Sequence, residues 1–178
     1  KYLIFLITTL FLYLFYLSIP SLYDKGILQT KLNQMINKEY NINLSLSSDL
    51  SYTILPKPHI IIKNVKFFTN DRESPKELAQ IKKLKVFISQ KNFFDQKNLE
   101  IKKISFDQSN FLIQQQDLKY LKKFIEEKFS EKKININNSN FFYNNNKNKV
   151  ISIFPVSNID LFYDDQNNQN FLISKGEL

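Results

Sequence analysis

LPKPHIIIKNVKFFTN, residues 55–70, sets two prolines around one lysine and follows them with a burst of β-branched and aromatic residues. Proline lacks the amide hydrogen that a sheet ladder needs, so Pro56 and Pro58 belong before a strand or on its edge. Ile60 and Ile62 share one phase of a period-two alternation, and Val65 and Phe67 share the other. A strand that changes phase needs an irregularity, so Lys63-Asn64 is expected to hold a bulge. His59, wedged between Pro58 and Ile60, has no triad partner at a recognisable spacing and is read as structural.

The same period extends on both sides. INLSL places Ile42, Leu44 and Leu46 opposite Asn43 and Ser45, and LKVFIS aligns Leu84, Val86 and Ile88. KKISFDQSNFLIQ from Lys102 and KKININNSNFFYN from Lys132 align without a gap, sharing the lysine pair, an isoleucine, Ser-Asn and a phenylalanine. Each copy reads as strand, turn, strand, with turn formers at 107–110 and 137–140, so each is predicted to be a β-hairpin. Chance matching in a chain rich in Asn, Lys, Ile and Phe is the competing explanation. Near the end Ile159, Leu161 and Tyr163 alternate, while Pro155 predicts that this strand is interrupted or lies at an edge. An open edge of such length invites pairing, so further chain or a partner is expected to cover it.

Two segments carry helical periodicity. Over residues 21–40, Leu28, Leu32, Met35, Ile36 and Tyr40 form one stripe, with Ser21 and Asp24 suited to the N-terminal end. The stripe is most simply packed over a sheet; a helix lying on a membrane surface is the other reading. Over residues 117–129, Leu118, Leu121, Ile125 and Phe129 form a second stripe with Asp117 as cap. Residues 2–19 are uncharged and match the ~20 residues that cross a bilayer core. Tyr2 and Tyr16 sit near the ends of this run, where aromatic rings favour the interface, and Pro20 ends it. A cleaved signal peptide is disfavoured by the length and by the lack of a small-x-small pair before a cut. The expected organisation is a single-pass anchor, residues 1–20, and one domain, residues 21–178. The sequence opens on Lys1 rather than methionine, so residues are expected ahead of it, and the bulk of the chain is expected outside the cytoplasm.

Composition narrows the chemistry. The 178 residues are 43% hydrophobic, too apolar for a disordered chain, and carry a net charge of +8, which favours an anionic partner. There are no cysteines and two glycines, which leaves no thiolate site, no Gly-rich phosphate loop and no nucleophile elbow. Asp164-Asp165 lacks the ligand periodicity of a calcium loop. No catalytic residue, metal ligand or cofactor site is expected. Lys82, Lys83, Lys85, Lys102, Lys103, Lys132 and Lys133, among many phenylalanines, imitate a nucleic-acid surface. Their alternation with apolar residues is that of a solvated sheet face, and no nucleic acid is expected as partner.

An N-terminal anchor, an amphipathic helix, a short strand and then Pro56, Pro58, Ile60, Ile62, Asn64 and Val65 in the pattern PxPxIxIxNV resemble the start of the AsmA family. LAQIKKLKVFIS from Leu78, the pair Phe93-Phe94 and LEIKKISFDQSNFLIQ from Leu99 extend the resemblance over nearly the whole sequence. It implies the N-terminal part of a longer protein, held in the inner membrane of a Gram-negative envelope with its main domain in the periplasm. The resemblance also implies an architecture related to TamB and to chorein-type bridge-like lipid-transfer proteins. The implied fold is α+β, mainly β: a transmembrane helix, then a curved, mostly antiparallel sheet with two covering amphipathic helices. Its greasy concave face would hold phospholipid and support outer-membrane assembly without an enzyme's chemistry. Candidate groove residues are Ile60, Ile62, Val86, Ile88, Ile104, Phe106, Ile134 and Ile136, and lysine at 104 and 134 is expected to remove lipid without unfolding. The alternative function is a structural or chaperone-like module that offers its sheet edge to outer-membrane proteins.

Overall fold

The computed structural model of the chain describes residues 1–40, 42–47, 49–68, 76–91, 93–118, 130–145, 149–164 and 166–175. Helix α1 (Tyr2–Ser18) runs through a 3-10 turn (Ile19–Leu22) into α2 (Lys25–Tyr40). Eight strands follow: β1 (Asn43–Ser45), β2 (Leu50–Thr53), β3 (His59–Phe68), β4 (Glu77–Ile88), β5 (Ile101–Gln114), β6 (Ile134–Asn144), β7 (Val150–Asp164) and β8 (Gln169–Lys175). They form one open sheet in which β3, β4, β5, β6, β7 and β8 are neighbours in that order, while β1 and β2 both pair with β3. Every pairing is antiparallel except β5 with β6.

Together α1 and the turn give one helix, Tyr2–Leu22, whose 21 residues are long and apolar enough to cross a membrane. Its far end is exposed, whereas its base is held by the sheet: Leu17 is buried, and the Tyr52 hydroxyl donates to the Leu17 carbonyl at 2.7 Å. Tyr16 stacks on buried Phe93 at 5.3 Å and donates to the Gln90 carbonyl at 2.5 Å. The Tyr23 hydroxyl donates to the Phe93 carbonyl, also at 2.5 Å. Helix α2 starts where Asp24 accepts the Ile27 amide at 2.8 Å, which satisfies one of the first turn's free donors. Its Leu28, Leu32, Ile36 and Tyr40 are buried in the same apolar cluster as the sheet residues. Of the second helical stripe, Leu121, Ile125 and Phe129 lie outside the described residues. Asp117 is buried, takes Lys76 Nζ at 2.6 Å and accepts the Gln114 amide at 2.8 Å.

The repeated units are not hairpins. Each copy is one continuous strand, and the two lie side by side in parallel, with Ile104 opposite Ile134, Phe106 opposite Ile136 and Phe111 opposite Phe141. The gapless alignment of the two copies is therefore their register. The expected turns are passed in extended chain because each contributes a left-handed residue, Gln108 (φ 55) and Asn138 (φ 47), instead of a reversal. Asn64 (φ 54) is a third. No bulge interrupts the count at Lys63-Asn64: Lys63 faces Lys83 and Val65 faces Ile81, which leaves Asn64 opposite Lys82. By the same reading Lys82 lies opposite Gln108, Gln108 opposite Asn138 and Asn138 opposite Ser157. A seam thus crosses five strands at one level. A residue in the left-handed region breaks the alternation, so the side chains beyond it exchange faces. Because neighbouring strands switch at the same level, Ile60 and Ile62 on one side and Val65 and Phe67 on the other all reach one apolar cluster. Pro56 and Pro58 precede β3, and Pro155 sits in the half of β7 that lacks a β8 partner.

Candidate functional site: an apolar sheet face

Residues opposite each other in register share a face of the sheet, so the pairing assembles rows that cross it. One row runs Tyr52, Ile60, Val86, Ile104, Ile134, Leu161, Leu172. The next runs Leu50, Ile62, Leu84, Phe106, Ile136, Ile159. Beyond the seam a third runs Leu44, Phe67, Ala79, Phe111, Phe141, Phe154.

Seven of the eight groove candidates fall in the first two rows, on one face, and Ile88 joins the same buried cluster at the end of β4. All eight are buried; Ile104 is 0% and Ile136 5% exposed. The cluster that encloses them includes the buried stripe of α2. The expectation that lysine at 104 and 134 leaves the fold intact is overturned by this burial, since an unpaired charge at either site would be cut off from water. Exposure rises along each row toward β8. In the third row Ala79 is fully buried, Phe111 is 7% exposed and Phe154 is 52% exposed, with Phe111 and Phe141 stacked at 4.4 Å. In the first, Leu161 is partly buried and Leu172 is 54% exposed. The face is continuous, and the half on β7 and β8 is open. Phe154, Leu161 and Leu172 were not among the groove candidates, although Leu161 lay in a recognised alternation. The signal that finds them is strand order, which places them on the rows of Phe111 and Ile104.

On the opposite face the rows between the seam and the α1 end are mainly polar, while beyond the seam Leu112, Phe142 and Ile153 form an apolar row, with Ile153 55% exposed. Lys85 pairs with Asp107 at 2.8 Å, and Ser105 donates to Asn135 at 3.0 Å. Asn135 donates to Asp160 at 2.8 Å and Asn158 to Asn137 at 3.0 Å. Burial alone would raise the Asp107 carboxyl, but the hydrogen bond and charge of Lys85 outweigh it and hold it below the usual carboxylate range. His59 is buried, stacks on Phe87 at 5.0 Å and has Nδ1 2.7 Å from the Lys57 carbonyl. Among the described residues no group of three or more His, Cys, Asp or Glu is placed to hold a metal ion. None of the seven lysines singled out in the sequence is buried. Lys102, Lys103, Lys132 and Lys133 gather with Lys57 around one cleft of about 890 Å³ at the end of the sheet nearest α1.

No protein-family model matches the chain, and a search of curated proteins returns no significant match.

Proposed function

We propose that the chain is a membrane-anchored, non-enzymatic lipid-handling protein, an AsmA-like module whose apolar sheet face holds phospholipid acyl chains on the periplasmic side of an inner membrane. The observation that carries this reading is the row Phe111, Phe141, Phe154, in which a core face passes without a break into an exposed one. A face of this kind lowers free energy by taking in apolar chains, at about 0.8 kcal/mol for each methylene removed from water. In this reading α2 closes the β3–β5 end, and curvature of the sheet shapes the open end. Acyl chains lie over β7 and β8 while the headgroup stays in water, in support of outer-membrane assembly.

The test uses the full chain in nanodiscs with a phospholipid that carries a diazirine at the end of one acyl chain. Crosslinks are expected in peptides containing Phe154, Leu161 and Leu172 as well as in α1. Crosslinks confined to α1 would overturn the reading, because every membrane helix meets lipid.

A second reading is favoured by the edge of β8, which among the described residues pairs only with β7. A free edge suits strand addition by an unfolded outer-membrane protein. Photoreactive residues at Phe171 or Ile173 would then capture polypeptide instead of lipid.

A further inference from the structure

The cleft at the α1 end of the sheet is built from four strand ends. Its floor includes Phe87 and its rim carries Lys57, Lys102, Lys103, Lys132 and Lys133, against one acidic lining residue, Glu131. Two backbone bonds fix the walls: the Ile88 amide donates to the Pro58 carbonyl at 3.3 Å, and the Ile104 amide to the Lys133 carbonyl at 3.1 Å. Two of the five cations are neutralised, Lys132 by Glu39 at 3.0 Å and Lys133 by Asp160 at 3.3 Å. Lys103 Nζ lies 4.9 Å from the centre of the Phe87 ring, which holds it over the floor. Lys57 and Lys102 are exposed, and among the described residues neither has a carboxylate partner. An open cleft with unneutralised ammonium groups above an apolar floor fits a phosphate attached to something greasy.

The position of the cleft says where such a molecule comes from. Gln90 lines it and also takes the hydroxyls of Tyr16, at 2.5 Å, and Tyr13, at 3.4 Å. The cleft therefore opens beside the point where the membrane-crossing helix meets the sheet. Around the same base Leu22 (80%), Leu55 (75%) and Phe94 (79%) expose apolar side chains that suit the bilayer interface. A free anion would need no such setting, whereas a headgroup would arrive at this level.

We propose that this cleft binds the phosphate of an anionic phospholipid drawn from the membrane that holds α1. The site deepens the lipid-handling reading and rests on it: the sheet takes lipid headgroup first, at its membrane end, and selects for negative charge. Lys57 and Lys102 meet the phosphate, and Lys103 backs them over Phe87.

The full chain is reconstituted in nanodiscs of one part phosphatidylglycerol to four parts phosphatidylcholine, and lipid retained on gentle release is counted by native mass spectrometry. Phosphatidylglycerol is expected to be enriched over the bulk ratio in the parent chain. The enrichment should fall about fivefold for each lysine replaced, in Lys57→Gln, Lys102→Gln and the double variant. Unchanged thermal midpoints show that these exposed substitutions leave the fold alone. Equal enrichment in parent and double variant, or none in the parent, overturns the proposal. In a second arm inorganic phosphate and glycerol phosphate are added to the detergent-solubilised chain. Binding of inorganic phosphate as tight as that of the lipid, lost in the same variants, would make this a free-phosphate site and overturn the lipid source. The acyl-chain crosslinks at Phe154 and Leu172 are read in parallel. Their persistence in the double variant separates failure of the cleft from failure of the apolar face.

Discussion

Tyr52 ties the sheet to the base of α1 through one hydrogen bond, its hydroxyl donating to the Leu17 carbonyl at 2.7 Å. Burial, reinforced by the nearby Tyr23, pushes its phenol from 10.0 up to about 12, because the phenolate would lose both solvation and the ability to donate. The folded value lies above the unfolded one, so the stability this group supplies is complete below pH 10 and is lost as pH rises through about 12. Tyr52→Phe keeps the ring and removes the bond. It is expected to cost about 1 kcal/mol at neutral pH and to flatten the fall in stability across the window from 10 to 12. Thermal unfolding of parent and variant in detergent at a series of alkaline pH values checks this. Parallel curves would mean that Tyr52 does not fasten the anchor. At this same scale the sequence was informative where a side chain meets its own neighbours, as with Asp24 at the start of α2. It was silent on Tyr52, whose partner lies 35 residues away.

The strands show where local chemistry stops deciding. Asp, Asn, Gln and Ser at 107–110 and 137–140 are turn formers because they tolerate left-handed backbone and bond to their own main chain. One left-handed residue serves equally well to close a hairpin or to switch the face of a strand that continues. Only the partner strands choose, and here β4 and β7 extend past both sites and pair on either side of them. The repeat was legible and its meaning was not: the two copies are single strands lying side by side in register, not two hairpins. The α2 stripe and the start of β3 needed no such information, since helical period and proline act within one segment. At the seam Gln108 bears a conformation that asparagine adopts more readily and β-branched residues resist. Gln108→Val is expected to lower stability by about 1–2 kcal/mol, and Gln108→Asn to leave it unchanged or slightly higher. Comparing the thermal midpoints of the two variants tests the seam. Equal midpoints would show that strand pairing, and not the left-handed residue, sets the phase switch.

Over the whole molecule one apolar face is buried on β3 to β5 and opens toward β7 and β8, and the rows pass from one condition to the other. The period-two pattern located that face and gathered Ile60, Val86, Ile104 and Ile134 on it, but period alone does not distinguish a core from a groove. What distinguishes them is burial in the assembled fold, where Leu28, Leu32, Ile36 and Tyr40 of α2 join the buried cluster. Ile104 and Leu172 belong to the same row, three strands apart, yet Ile104 is 0% and Leu172 54% exposed. A lysine at 104 would be held away from water between Val86 and Ile134, with no carboxylate in its row to pair with. A lysine at 172 reaches solvent along its own stem. Ile104→Lys is therefore expected to cost at least about 4 kcal/mol, enough to unfold a domain of ordinary stability. Leu172→Lys is expected to change stability by less than about 0.5 kcal/mol while sharply reducing acyl-chain crosslinking to β7 and β8. Circular dichroism with thermal unfolding reads the first quantity, and crosslink yield in nanodiscs reads the second. If Leu172→Lys folds and crosslinks as the parent does, the exposed end of the row is ordinary surface. If it folds and the crosslinks vanish, the open half of the face is where lipid lies, and the buried half is the core that holds it in place.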